Sequence, residues 1–219
     1  MQITQEERDS VYKTIFARRD VRREFLPDAI PDDVLKRVLT AAHHAPSVGY
    51  MQPWDFVLVR SDQTKARIKS SYLQAHQQAT EMFASDKKET YQKLKLEGIM
   101  EAPLGICVTC DRSRNGPVVI GTTAKPDMDL YSTVCAIQNL WLAARAENLG
   151  VGWVSILHDD VLYDTLNIPQ DISIVAYLCV GYVSQFNDKP ELEKLGWLPR
   201  RPIDDVIHVD TWQPTPKEP

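Results

Sequence analysis

The stretch Asp127–Ile156, DMDLYSTVCAIQNLWLAARAENLGVGWVSI, decides the fold. From Asp127 to Asn148 apolar residues recur on nearly every side of a helix, at Leu130, Tyr131, Val134, Ile137, Leu140, Trp141 and Ala144. A helix apolar all round belongs in a core or at a subunit interface. Gly150 follows at a C-cap position, and Val151 to Ile156 then reads as a buried strand. Helix running directly into buried strand makes a sheet covered by helices.

Working outward, the same alternation recurs. Toward the C-terminus, Ile172 to Val183 is a second apolar strand. Toward the N-terminus, Leu104 to Thr109 and Phe56 to Val59 are two more. Thr4-Gln5-Glu6-Glu7 has the capping-box pattern and opens a helix with a stripe of Val11, Ile15 and Phe16. A second helix opens at Pro31 with Asp32 and Asp33. It carries Val34, Leu35, Val38, Leu39 and Ala42 at helical spacing and stops before Pro46. Residues 63–101 are helical and highly charged with a thin apolar stripe. That composition fits either a helical pair covering one side of the domain or a moving lid. After Ser184 the chain turns Pro-rich and loses periodicity, so the extension 185–219 has to lie on something, a partner subunit included. No internal repeat or linker appears, and the expectation is one domain over 1–219, α+β, with helices on both faces of the sheet.

Of 219 residues 43% are hydrophobic, enough for one well-buried core. A net charge of -5 argues against a nucleic-acid binder, which needs a basic face, but not against a local anion pocket. The first ten residues lack an apolar signal region, and no apolar run reaches membrane-spanning length. Cys107, Cys110, Cys135 and Cys179 lie in apolar segments and are expected to be buried, reduced thiols of a cytoplasmic protein.

Several motifs lose to simpler explanations. Cys107 and Cys110 have CxxC spacing, but residues three apart on a strand face opposite ways and cannot share a metal. His43 and His44 diverge on a helix end, with no HExxH and no carboxylate at matching spacing, so no metal is expected. Gly150-Val151-Gly152 starts like a dinucleotide fingerprint but follows a helix and precedes a strand, the reverse of what that site needs. No P-loop and no GxSxG elbow occurs.

Two features survive. Arg18-Arg19-Asp20-Val21-Arg22 gathers three guanidinium groups around one carboxylate at a helix end, a donor set suited to a dense anion. Cations in a last turn also complement a helix dipole, and taken alone that simpler explanation is favoured. If the helix continued, Arg18 and Arg22 would share one face. Ser155 stands at the C-terminal end of a buried strand, where α/β sheets present ligand-contacting groups; a lone core Ser bonded to a neighbouring carbonyl is the alternative.

Three segments together identify a family. Arg18 to Phe25 resembles the N-terminal flavin-binding signature of the nitroreductase-like flavoproteins, and Ala45-Pro46-Ser47-Val48-Gly49-Tyr50-Met51-Gln52-Pro53-Trp54 their second flavin loop. Asp129 to Glu147, running on to Gly152-Trp153-Val154-Ser155, resembles one branch, the 5,6-dimethylbenzimidazole synthases. Lys93 to Ile99 and Ile106 to Arg112 match that branch too. The resemblance runs from about Val11 to Trp212. It implies a three-layer α/β/α sandwich with a mostly antiparallel sheet, in a homodimer with sites at the subunit interface and the C-terminal tail on the partner. It also implies O2-dependent fragmentation of reduced FMN, delivered by a separate flavin reductase, to the lower ligand of vitamin B12, with no metal. By the same resemblance Arg18, Arg19 and Arg22 hold the flavin phosphate and pyrimidine edge with Ser47 assisting. Val21, Ile156 and Arg200 complete the flavin contacts, and Asp20 and Ser155 are catalytic, near the ribityl chain and the reactive ring centre. The alternatives within reach are an NAD(P)H-dependent FMN nitroreductase or flavin reductase and, from another class, a non-catalytic flavin-binding protein. The chain departs from the family pattern at Tyr50 for Phe, Asp55 for Asn and Thr122 for Arg. The last removes a cation from the Gly121–Lys125 loop.

Overall fold

The computed structural model describes residues 2–83, 88, 89, 91, 92 and 94–214. In chain order the main elements are α1 (Gln5–Ala17), α2 (Asp32–His43), β1 (Trp54–Val59), α3 (Asp62–Met82), β2 (Leu104–Cys110), α4 (Met128–Ala146), β3 (Leu149–Val154), α5 (Asp159–Leu166), β4 (Ser173–Tyr182) and α6 (Glu191–Lys194). The chain divides into two compact units, Met1–Phe186 and Asn187–Pro219.

The first unit holds a four-stranded sheet of order β1-β2-β4-β3, antiparallel throughout. Strand β2 is buried along its whole length, so alternate residues serve two cores. Ile106 and Val108, with Leu178 and Val180 of β4, pack against Val34 and Val38 of α2 and Ile137, Leu140 and Ala144 of α4. Cys107, with Tyr177 and Cys179, faces the other way onto Ile68 and Tyr72 of α3 and Leu162 of α5. These are the three expected layers, α2 and α4, the sheet, then α3 and α5. Cys110 looks toward Thr133 of α4, opposite to Cys107, as the strand argument requires. Burial pushes the Cys107 and Cys179 thiols up to about 12, so both stay protonated.

Four expectations are corrected. Cys135 is exposed on α4, because the helix turns Tyr131, Val134 and Cys135 away from the sheet. Gly150 is not a cap but lies inside β3; the chain leaves α4 through Asn148, whose φ of +59° supplies the left-handed turn. Helix α1 has its capping box, with Thr4 Oγ1 accepting from the Glu7 N–H at 3.3 Å and Glu7 accepting from the Thr4 N–H at 2.8 Å. Yet none of its residues is buried, and Val11, Tyr12 and Phe16 face outward. Of the charged segment 63–101, α3 is one long helix and Lys88, Glu89, Tyr91 and Gln92 are helical too, but residues 94–101 are turns and irregular chain; positions 84–87, 90 and 93 lie outside the described residues. Glu97, buried in that irregular stretch, accepts from the Lys69 and Lys95 ammonium groups and from the Ile99 N–H, which hold its carboxyl below the usual range despite burial.

The second unit carries α6 and a 3-10 turn at Ile203–Val206. Leu198, Ile203, Ile207, Val209 and Trp212 are exposed there.

Candidate active site

Helix α1 ends at Ala17 because Arg18 turns to extended backbone (φ -63°, ψ 136°), so Arg18 and Arg22 do not share a helical face. The extended chain instead lies along the free edge of β3. Asp20 forms a parallel bridge with Val151, and the Val21 N–H donates to the Val151 carbonyl at 3.0 Å. Further on, the Leu26 N–H donates to Tyr182 at 2.8 Å and the Ser184 N–H to Glu24 at 2.9 Å. Gly152 permits this approach, since a Cβ there would stand 2.1 Å from the Val21 carbonyl oxygen.

The Asp20 carboxylate is held on both oxygens. Oδ1 accepts from the Trp153 N–H at 3.1 Å and Oδ2 from Arg22 Nη2 at 2.5 Å. Burial raises its pKa above 3.8; against it work the Arg22 charge, the Trp153 N–H and the Arg18 charge. The Arg22 side chain is only 13% exposed, whereas 31% of Asp20 remains open. A carboxylate more basic than usual, held ionised by two donors and open on one side, is equipped to take a proton.

The three arginines have separate tasks. The Arg18 guanidinium lies over the Trp141 ring of α4 at 4.8 Å, and Trp141 Nε1 donates to the Arg19 carbonyl at 3.2 Å. Arg19 turns back, its Nη1 donating to the Phe16 and Arg18 carbonyls at 2.7 Å each, so here the cation does complement the helix end. Arg145 assists by donating to the Ala17 carbonyl at 3.1 Å. Arg18, Asp20 and Arg22 thus form one cluster with Val21 buried behind them.

Ser155 and Ile156 follow directly after β3. Ser155 is exposed, two residues or about 7 Å of extended chain beyond the N–H that holds Asp20. A carboxylate and a free-standing hydroxyl therefore share one strand end.

Ser47 does not join them within the chain. It belongs to the turn before β1, at the opposite sheet edge, where its Oγ accepts from the Gln52 N–H at 3.0 Å. The adjacent Val48 N–H donates to Ser132 of α4 at 3.0 Å. Ser132 and Trp141, the α4 anchors of the two regions, are nine residues apart, about 13 Å along the helix. Arg200 is exposed in the second unit. Thr122 folds onto its own loop, its Oγ1 donating to the Val119 carbonyl at 2.8 Å.

Sequence reasoning missed Trp141 and the Trp153 N–H as supports. The signal was present in Gly150-Val151-Gly152, because Gly inside a buried strand marks close approach of another backbone. Among the described residues no group of three or more His, Cys, Asp or Glu side chains is placed to hold a metal ion, and no helix is long and apolar enough to cross a membrane.

Comparisons with known proteins bear on this arrangement. A model of the nitroreductase family matches residues 15–182. The 5,6-dimethylbenzimidazole synthase of Rhodospirillum rubrum is 42% identical over 185 residues, 84% of this chain and 87% of its own length. That of Rhodobacter capsulatus is 37% identical over 204 residues, 93% and 98% of the two chains. Among solved structures, oxidized iodotyrosine deiodinase bound to FMN and 3-iodo-L-tyrosine matches with a TM-score of 0.73 at 23% identity, covering 92% of this chain and 100% of that one. The NADPH:FMN oxidoreductase from Vibrio harveyi complexed with NAD+ matches with a TM-score of 0.66 at 19% identity, covering 94% and 79%. At these identities the structural likeness speaks for the fold.

Proposed function

The chain belongs to the nitroreductase family, and we propose that it is a 5,6-dimethylbenzimidazole synthase that fragments reduced FMN with O2. One observation carries this reading. A doubly held, partly open carboxylate and an exposed hydroxyl share one strand end in a chain 42% identical to such a synthase.

The donor set fits FMN. Guanidinium forks at Arg18 and Arg22 suit a phosphate or the carbonyl edge of a pyrimidine, and Arg22 is backed by Asp20 so that its plane is fixed. Val21 and Ile156 are assigned to the same ligand, with Ser47 assisting, and Arg19 supports it by bonding the helix-end carbonyls beside Arg18. Bound there, reduced FMN supplies both the electrons that reduce O2 and the carbon skeleton of the product.

The residues' own tasks follow from their surroundings. Asp20 Oδ2 and Oδ1 keep the ionised form through Arg22 and Trp153, while burial raises its basicity, so the carboxylate accepts a proton from a ribityl hydroxyl on its open side. The Ser155 hydroxyl donates a hydrogen bond to the reacting ring edge. Val21 and the α1 terminus keep bulk water from the inner side of the carboxylate.

Separation of Ser47 from the arginine cluster supports a homodimer in which each flavin is held by one protomer's arginines and the other's 45–54 turn. The outward apolar residues of α1 and α4 would form that interface, and the exposed apolar residues of 187–219 would cover the partner. A separate flavin reductase supplies the reduced FMN, and three buried thiols with raised pKa suit a reducing cytoplasm.

Aerobic incubation of the protein with pre-reduced FMN, followed by mass spectrometry, tests the assignment. Expected is 5,6-dimethylbenzimidazole in proportion to FMN lost. Intact FMN after many turnovers, with steady NAD(P)H consumption on nitroaromatics, would show a nitroreductase instead.

A further inference from the structure

The turn that carries Ser47 has an unusual backbone. Gly49, Tyr50 and Gln52 have φ of +52°, +56° and +48°. Nowhere else among the described residues do three left-handed residues fall within four. Gly49 takes this conformation without cost, and a Cβ there would stand 2.4 Å from Val119 Cγ1. Tyr50 and Gln52 do not, because left-handed backbone crowds the Cβ against the following carbonyl. Nor is the turn bent to bury its side chain: Tyr50 is 82% exposed.

The restraint comes from the segment after β2. Arg114 Nη1 donates to the Gln52 carbonyl at 2.8 Å and the Trp54 carbonyl at 3.1 Å, and its Nη2 to Asp55 Oδ2 at 2.5 Å. Asn115 Nδ2 donates to the Met51 carbonyl at 3.2 Å. One planar fork thus spans the junction of turn and strand, which an ammonium group cannot do. Asp55, where the family pattern has Asn, supplies a charged partner for that fork. With the Ser47 oxygen accepting the Gln52 N–H, its proton is left for an acceptor such as a phosphate oxygen.

The bend buries Met51 at 2% exposure but leaves Tyr50 in solvent, so strained backbone tied from behind here is kept also for what Ser47 and Tyr50 present. We propose that Arg114 is a positioning residue for the flavin: it holds the 47–52 turn in left-handed form so that Ser47 and Tyr50 meet the FMN bound at the partner protomer's arginine cluster. This rests on the assignment of the 45–54 turn to the flavin site. Arg114 itself touches no ligand; it acts through the backbone it clamps.

Steady-state kinetics with pre-reduced FMN tests the role. Arg114→Ala should raise KM about ten-fold or more while kcat and benzimidazole yield per FMN consumed stay within about two-fold. Arg114→Lys, which keeps the charge and loses the fork, should resemble Arg114→Ala; it also carries the test if the alanine variant does not fold. Adding Gln52→Gly to either variant should restore KM to within about three-fold of wild type, since Gly occupies the left-handed region freely. A direct electrostatic role or general loosening of the fold would not be rescued that way. Wild-type KM in Arg114→Lys, or no rescue by Gln52→Gly, overturns the proposal. Ser47→Ala separates the two layers of argument. A raised KM there with Arg114→Ala silent overturns the role of Arg114 alone. Both variants silent removes the turn from the flavin site and the proposal with it.

Discussion

The two edges of the sheet fix polar groups by different means. At the β3 edge, residues 18–26 pair by backbone bonds to β3 and β4 on either side of a bend at Arg22 and Arg23, and the polar groups fixed there are the side chains of Arg18, Asp20 and Arg22. At the β1 edge the backbone itself is bent out of its usual range and one guanidinium restrains it. The first arrangement tolerates loss of single side-chain contacts, because the ladder persists without them. The second depends on Arg114, with Asn115 beside it. Proton transfer should therefore depend on the β3 edge alone, whereas ligand affinity should draw on both edges.

The sharpest test of that contrast is Asp20→Asn, which keeps both acceptor geometry toward Trp153 and side-chain size. Benzimidazole formation should fall about 10²-fold or more, with FMN binding within a few-fold as measured by flavin fluorescence. The wild-type rate should also rise with pH through the raised Asp20 pKa, a limb the variant lacks. The sign for stability is opposite. Asp20 binds its proton more tightly folded than unfolded, so its own contribution to stability shrinks as pH rises from 3.8 past the raised value.

Gly152→Ala attacks the scaffold rather than the chemistry. Its Cβ meets the Val21 carbonyl, so the 18–22 segment has to move away from β3. A loss of about 2 kcal/mol or more in urea unfolding is expected, together with weakened FMN binding. Unchanged stability would mean the edge pairing is looser than the bridge geometry indicates.

Ser155→Ala should leave binding intact and divert turnover, lowering benzimidazole per FMN consumed about ten-fold in favour of hydrogen peroxide, the worth of one hydrogen bond of about 1.4 kcal/mol. A peroxide assay beside product quantification reads the split. The smallest effect belongs to Trp141→Phe. It keeps a ring under Arg18 but removes the N–H bonded to Arg19, and FMN affinity should fall only several-fold, about 1 kcal/mol.

Much of this was legible beforehand because it is periodic. The all-round apolar helix, the β2 alternation that sends Cys107 and Cys110 to opposite faces, and the capping box at Thr4 are local patterns whose physical meaning does not depend on distant residues. The errors have a common origin. A helix stripe at Val11 and Phe16 looks the same whether its cover is the same chain or another. Gly150 looks like a cap unless Asn148 has already made the turn. Cys135 reads as buried because the helix around it is apolar on every side.

The linear chain was enough for helices on both sheet faces, the strand count in the first unit and the residue types suited to an anion, since these rest on periodicity and on the fixed chemistry of guanidinium, carboxylate and hydroxyl groups. Only the tertiary structure decided that Arg18, Asp20 and Arg22 converge at β3 while Ser47 stands at the far edge, and that Arg114 restrains the turn between. Those facts depend on strand order and on contacts between residues 62 and 133 positions apart, and such long-range pairings leave no mark on the local sequence.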